Sequence, residues 1–227
     1  MRTCLLYLLL TGVASAAAPV KIVLVGDSTI NPEGGWGPGF RASFDDSIEV
    51  VNLASNGRSS KSFRDEGRWE KALEAKPDYV IMAFGHNDVP GKGPERETDP
   101  KTTYHDNMAR FIDEARAIGA KPILATSIVR RNFGADGKWR PDSLVPYVEA
   151  TRALAAGKSV PLLEMYELTR AQAEALGNAG CEAQVGAVDK DGKPDRTHLG
   201  AKGQASIGAM AAKEFTRLFA EFESHRH

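Results

Sequence analysis

Four short segments of the chain carry residue types that can do chemistry. Gly26-Asp27-Ser28-Thr29 directly follows an apolar run. A serine on a tight glycine turn at the end of a buried strand stands exposed above the sheet, as in the G-x-S-x-G elbow. Its hydroxyl is a weak nucleophile alone and needs a base. The competing reading is that Asp27, Ser28 or Thr29 caps a following helix. Near the other end lies Asp195-Arg196-Thr197-His198. An i, i+3 spacing at a helix entrance puts carboxylate and imidazole on one side of a turn. Asp195 can then orient His198 and leave its other ring nitrogen free as a base. The alternative is an Asp N-cap beside an unrelated exposed histidine.

Two further segments offer hydrogen-bond donors. In residues 52–59 (NLASNGRS), Gly57 either lets a backbone N–H approach a ligand, as an oxyanion donor must, or is a loop glycine with positive φ. In Gly85-His86-Asn87-Asp88, Asn87 supplies an amide that stabilises developing negative charge without exchanging a proton. His86 reads as shaping the turn, and Asp88 as an acceptor for turn amides. Of the five histidines, His225 and His227 lie in a chain end expected to fray, and His105 sits in a helical stretch. His198 is the base that remains. Together the segments supply a nucleophile, a base, an orienter and two oxyanion donors. The order Ser28, Asp195, His198 suits a triad, which geometry defines and chain order does not.

Such residues must be held by a scaffold. Apolar runs of strand length occupy residues 20–25 (VKIVLV), 48–53, 78–84, 121–126 and 160–163. Helical spacing marks residues 104–118, where Met108, Phe111, Ile112, Ala115 and Ile118 share a stripe ended by Gly119, and also residues 146–156 and 201–222. Strands separated by helices predict an α/β fold with a mostly parallel sheet covered on both faces. Ligands bind beyond the carboxyl ends of such strands, where three of the four segments begin.

The chain has 227 residues, with 29 Lys and Arg against 30 Asp and Glu, a net charge of -1. A hydrophobic content of 42% with 26% charged residues predicts a folded globular chain, not a disordered one. The balanced charge gives no global field for nucleic acid or an anionic membrane. Residues 1–16 read as a secretory signal peptide: Arg2, an apolar run from Cys4 to Leu10, then Ala14-Ser15-Ala16 as an A-x-A cleavage site. The run is shorter than the roughly 20 residues that span a bilayer. Residues 17–227 then form one domain, secreted or periplasmic and expected to be a monomer. Cys181 is the only cysteine left after cleavage, and reads as a small buried apolar residue.

The four segments, in order, resemble the conserved blocks of the SGNH (GDSL-type) hydrolases. The intervening stretches NLASNGRSSKSF, GHNDVPGK, ATSIVRRNF, DGKWRPDSLVPYVEATRALA and THLGAKGQ look like the rhamnogalacturonan acetylesterase group of carbohydrate esterases. The resemblance runs from Val20 to about Phe222. It implies a three-layer flavodoxin-like fold around a five-stranded parallel sheet, and hydrolysis of acetyl esters on plant cell-wall polysaccharide with no metal or cofactor. By match, Ser28 is the nucleophile, His198 the general base and Asp195 its orienter. The Ser28 and Gly57 amides and the Asn87 side chain would form the oxyanion hole. One stretch departs from the pattern: Leu199-Gly200-Ala201 stands where the group has a more polar or aromatic run, which bears on substrate detail. Acetylxylan, another acetylated glycan or a small ester is the alternative substrate, and a silent glycan-binding protein the alternative class.

Charge position adds one expectation. Arg58, Lys61, Arg64 and Arg68 follow the second strand, and Arg130, Arg131, Lys138 and Arg140 the fourth. Arg58, Arg130 and Arg131 are the candidates for a basic rim that steers an acidic polymer. The equal alternative is that these bases pair with Asp65, Glu66 or Asp136 as solvated loop charges.

Overall fold

The computed structural model describes residues 18–227; the signal peptide expected at residues 1–16 lies outside them. The five apolar runs become β1 (Val20–Gly26), β2 (Ile48–Asn52), β3 (Tyr79–Ala83), β4 (Lys121–Ala125) and β5 (Leu162–Leu163). They form one sheet in the order β2-β1-β3-β4-β5, with every neighbouring pair parallel. Ile22, Val23, Leu24 and Val25 are all fully buried. A strand covered on both faces reads as an unbroken apolar run with no polar alternation, which is why β1 is so plain in the sequence.

Side chains alternate between two cores. Ile22, Leu24 and Ile81 pack against α1 (Gly37–Arg41) and α7 (Ala201–Leu218), with Phe40 and Phe215 in edge contact at 5.7 Å. Val23, Val25 and Met82 face α2 (Ser60–Asp65), α3 (Arg68–Glu74), α4 (Thr103–Ala117) and α5 (Val145–Lys158). Each Phe buried in these layers contributes roughly 1.5–3 kcal/mol. The result is a three-layer α/β fold. The chain moves from β1 outward to β2, then returns to place β3 on the other side of β1. That reversal makes the crevice beyond the ends of β1 and β3 the natural ligand site.

Three local expectations are corrected. An unanticipated helix, α6 (Met165–Gln184), follows β5 and bends at Gly177, whose backbone leaves the helical region. The last helix stops at Leu218, and a 3-10 turn (Ala220–His225) follows it. The chain end is docked: His227 N–H donates to the Ser43 carbonyl at 3.0 Å, Asp45 N–H to the His225 carbonyl at 2.9 Å, and the His225 ring meets Ser47 Oγ at 2.7 Å. Cys181 is buried, as its composition suggested. No described helix is long and apolar enough to cross a membrane.

Candidate active site

Ser28 sits on a turn that its neighbours build. Gly26 ends β1 pressed against β3: a Cβ there would lie 2.3 Å from the Ala83 carbonyl oxygen, so no larger residue fits. Asp27 is fully buried, and its Oδ1 accepts from the Thr29 amide at 2.8 Å and the Thr29 hydroxyl at 2.7 Å. No helix follows directly, since α1 begins only at Gly37. Asp27 therefore closes the turn that carries Ser28 and caps no helix.

The second half of the site comes from the far end of the chain. Residues 195–198 lie on β7 (Pro194–Leu199), paired antiparallel with β6 (Gly186–Val188), and α7 starts only at Ala201. The expected helix entrance is thus a tight turn within a strand. Asp195 Oδ1 accepts the amides of Thr197 and His198 at 2.7 and 2.9 Å, and its Oδ2 meets His198 Nδ1 at 2.7 Å. Burial raises the Asp195 pKa, but the His198 ring and the two amides outweigh it and hold the carboxyl below its ordinary value. An ionised carboxylate only accepts, so His198 Nδ1 carries the hydrogen. That leaves Nε2 as the acceptor facing Ser28 Oγ, at 2.9 Å. This is the geometry of a nucleophile, a base and an orienter.

Donors gather on the other side of Ser28. Gly57 has φ +74°, a left-handed conformation that glycine adopts at no steric cost. Among the described residues, neither the Ser28 nor the Gly57 N–H meets a protein acceptor. Asn87 donates one Nδ2 hydrogen to the Arg58 carbonyl at 3.2 Å. Ser28, Gly57, Asn87 and His198 all line one open cleft of about 490 Å³.

Behind the cleft, the residue-85 loop is anchored by its own acid. Asp88 is fully buried and accepts from the Ser60 amide (3.1 Å), the Ser60 hydroxyl (2.6 Å) and the Thr98 hydroxyl (3.0 Å). Burial pushes its carboxyl up to about 7, against the pull of those hydrogen bonds. His86 is buried, with its Nδ1 3.8 Å from Asp27 Oδ2. Burial, and then the charge of Arg130, push its pKa well below the usual histidine value. It is a neutral packing residue. Among the described residues no three His, Cys, Asp or Glu side chains converge as a metal site requires.

The basic rim is corrected. Arg131 is 5% exposed, and its guanidinium is bonded to backbone carbonyls, so it cannot meet a polymer. Arg58 pairs with Glu66 and Arg130 with Asp142, so their charges are neutralised locally. Four residues that the sequence did not single out line the cleft: Asn31, Glu33, Gly34 and Asn56. Asn31 Oδ1 accepts from the Gly34 and Gly35 amides at 2.9 and 3.0 Å, and its Nδ2 donates to Asn56 Oδ1 at 2.6 Å. The turn-forming Asn-Pro-Glu-Gly-Gly stretch was the available signal.

The chain is similar to known proteins over most of its length. The model of the GDSL-like Lipase/Acylhydrolase family matches residues 24–205. The chain is 31% identical over 223 residues to the rhamnogalacturonan acetylesterase RhgT of Bacillus subtilis, covering 91% of this chain and 94% of that protein. It is 32% identical over 205 residues to the probable rhamnogalacturonan acetylesterase YesY of the same organism, covering 87% and 93%. Among solved structures, the protein YxiM of Bacillus subtilis superposes with a TM-score of 0.75 at 25% identity, over 89% of this chain and 57% of that one. An acetylxylan esterase of Geobacillus stearothermophilus shares the fold with a TM-score of 0.63 at 18% identity, over 88% and 94%.

Proposed function

The chain belongs to the GDSL-like lipase/acylhydrolase family, and from that premise we propose that it is a secreted esterase that removes acetyl groups from plant cell-wall polysaccharide, with rhamnogalacturonan as substrate. The observation that carries the chemistry is the 2.9 Å contact between Ser28 Oγ and His198 Nε2, with Asp195 behind the ring.

Each step uses one feature of the cleft. His198 takes the Ser28 proton as Oγ attacks the acetyl carbonyl, and the ring's new charge is met by Asp195. The negative charge that develops on the carbonyl oxygen is received by the Ser28 and Gly57 N–H groups and the Asn87 amide. As the tetrahedral species collapses, His198 returns the proton to the departing sugar oxygen, leaving an acetyl-serine. Water, deprotonated by His198, then attacks the acetyl carbon; as the bond to Ser28 Oγ breaks, His198 returns that proton to Oγ and acetate leaves.

The size and lining of the cleft support a short acyl group on a polar alcohol. Asn31, Glu33, Asn56 and Asn87 face it, and among the described residues no aliphatic side chain lines it to hold a long acyl tail. The two Bacillus relatives with rhamnogalacturonan acetylesterase names support the pectic substrate. The signal-peptide pattern read in the sequence of residues 1–16 supports export.

Acetate release from acetylated rhamnogalacturonan and acetylated xylan, measured side by side, tests the reading. Faster release from rhamnogalacturonan is expected. Preference for xylan would replace the substrate, and release from neither polymer nor p-nitrophenyl acetate would leave a glycan-binding protein.

A further inference from the structure

We infer that Arg131 is a positioning residue that holds Asp195 and His198 in register with Ser28. The inference rests on the esterase reading above, but its geometry stands independently.

All four carbonyls of residues 195–198 are received by this one residue. Its guanidinium donates to Asp195 O at 2.8 Å, Thr197 O at 3.3 Å and His198 O at 2.6 Å, and its own backbone N–H donates to Arg196 O at 2.8 Å. On the opposite side of the same turn, Asp195 Oδ1 collects the N–H groups of Thr197 and His198. The turn is therefore bracketed: a carboxylate gathers its amides and a guanidinium gathers its carbonyls. Opposite charges at the two ends of aligned peptide dipoles are mutually favourable, as at helix termini.

The choice of residue is informative. Among the described residues Arg131 makes no ion pair, whereas its neighbour Arg130 is matched by Asp142. A buried cation without a carboxylate is costly, and an apolar side chain would fill the space without that cost. What arginine adds is direction, because its planar fork presents several donors at fixed angles. A lysine in its place offers a single ammonium and cannot satisfy three separated carbonyls in the same way.

Placement gives the bond its consequence. Arg131 follows β4, whose register is set by pairing with β3 and β5 in the rigid sheet. Ser28 follows β1 in that same sheet. The base lies 170 positions away from the nucleophile, on a two-stranded ribbon outside the sheet. Arg131 refers the ribbon to the scaffold that carries Ser28, and the Leu199 N–H bond to the Gly34 carbonyl (3.2 Å) is a second tie. A displacement of about 1 Å at a reacting group costs roughly 100-fold in rate.

The test compares Arg131→Gln and Arg131→Lys with wild type on p-nitrophenyl acetate, alongside thermal melting and proton NMR of the His198 ring N–H bonded to Asp195. A drop in kcat of roughly 10–100-fold is expected, with KM little changed. In folded Arg131→Gln the downfield imidazole N–H resonance should broaden or vanish, and Arg131→Lys should fall between it and wild type. Wild-type kcat in Arg131→Gln overturns the proposal. So does a lowered activity that merely tracks the folded fraction while the resonance stays intact, since that describes a structural clamp. If Arg131→Gln does not fold, Arg131→Lys decides by the same two readouts. A wild-type protein that hydrolyses no ester sinks the esterase reading alone, because the resonance still reports whether Arg131 orders the Asp195–His198 pair.

Discussion

Asp195 holds His198 twice: Oδ2 takes the ring Nδ1–H at 2.7 Å, while Oδ1 takes the backbone N–H of the same residue at 2.9 Å. One carboxylate thus fixes both where the imidazole begins and which way it points. The two oxygens can be separated by mutation. Asp195→Asn keeps an oxygen for the two amides but loses the anion behind the ring, so turnover should fall by up to ~10⁴ with the fold intact. Asp195→Ala loses the turn's acceptor as well, and should cost about 1 kcal/mol more in stability. Esterase rates and melting temperatures of the two variants check this division; identical melting points would refute it.

Ser28→Ala removes only the hydroxyl that meets His198 Nε2, and Asp27, not Ser28, closes the local turn. Turnover of p-nitrophenyl acetate should drop by roughly 10⁴ or more, with residual activity from the remaining donors. Melting should stay close to wild type. Full activity in this variant would remove Ser28 as the nucleophile.

Asn87→Ala should lower kcat by roughly 10²–10³ while leaving KM nearly unchanged, because the amide's bond to a developing oxyanion forms only in the transition state. The same change releases the Arg58 carbonyl, so a small stability loss accompanies it. Steady-state kinetics on one soluble ester separate the two effects. A variant that raises KM alone would make Asn87 a ground-state contact.

Asp88 makes stability depend on pH in an unusual direction for a carboxylate. Its pKa is raised from 3.8 to about 7 by burial, so the native state keeps the proton after the unfolded chain has released it. The stabilisation is fully present below about pH 4 and is lost as pH rises to about 7. Asp88→Asn does not titrate and keeps an oxygen for Ser60 and Thr98. Urea unfolding at intervals from pH 4 to 8 should therefore show wild type losing stability relative to Asp88→Asn, with the difference levelling above pH 7. A flat difference would mean that Asp88 ionises as freely in the native state as in the unfolded one.

The sheet could be read from the chain because buried parallel strands need no polar alternation: residues 20–25 are apolar at nearly every position. Helix α6 could not, because Gly177 and Gly180 interrupt its stripe, and the chain bends at Gly177. The chemistry-bearing residues Ser28, Gly57, Asn87, Asp195 and His198 were visible as types in short segments, since strand ends and turns keep them local. Their supports were not. Asn31, Glu33 and Asn56 reach the cleft through loop paths that carry no periodicity. Arg131 looks like a rim cation in the sequence because charge shows there and burial does not; three carbonyls from the far end of the chain surround it.

The 170 positions between Ser28 and His198 also set when activity can arise. Strands β1 to β5 can pair while the ribbon that bears the base is still being synthesised or is undocked, and such a chain holds a serine with no partner. Contacts of long sequence separation close late and slowly, since the loop entropy must be overcome before they form. Recovery of esterase activity during refolding is therefore expected to follow docking of the ribbon, not pairing of the sheet strands. A half-folded chain whose ribbon is undocked is therefore expected to release no acetate, however complete its parallel sheet.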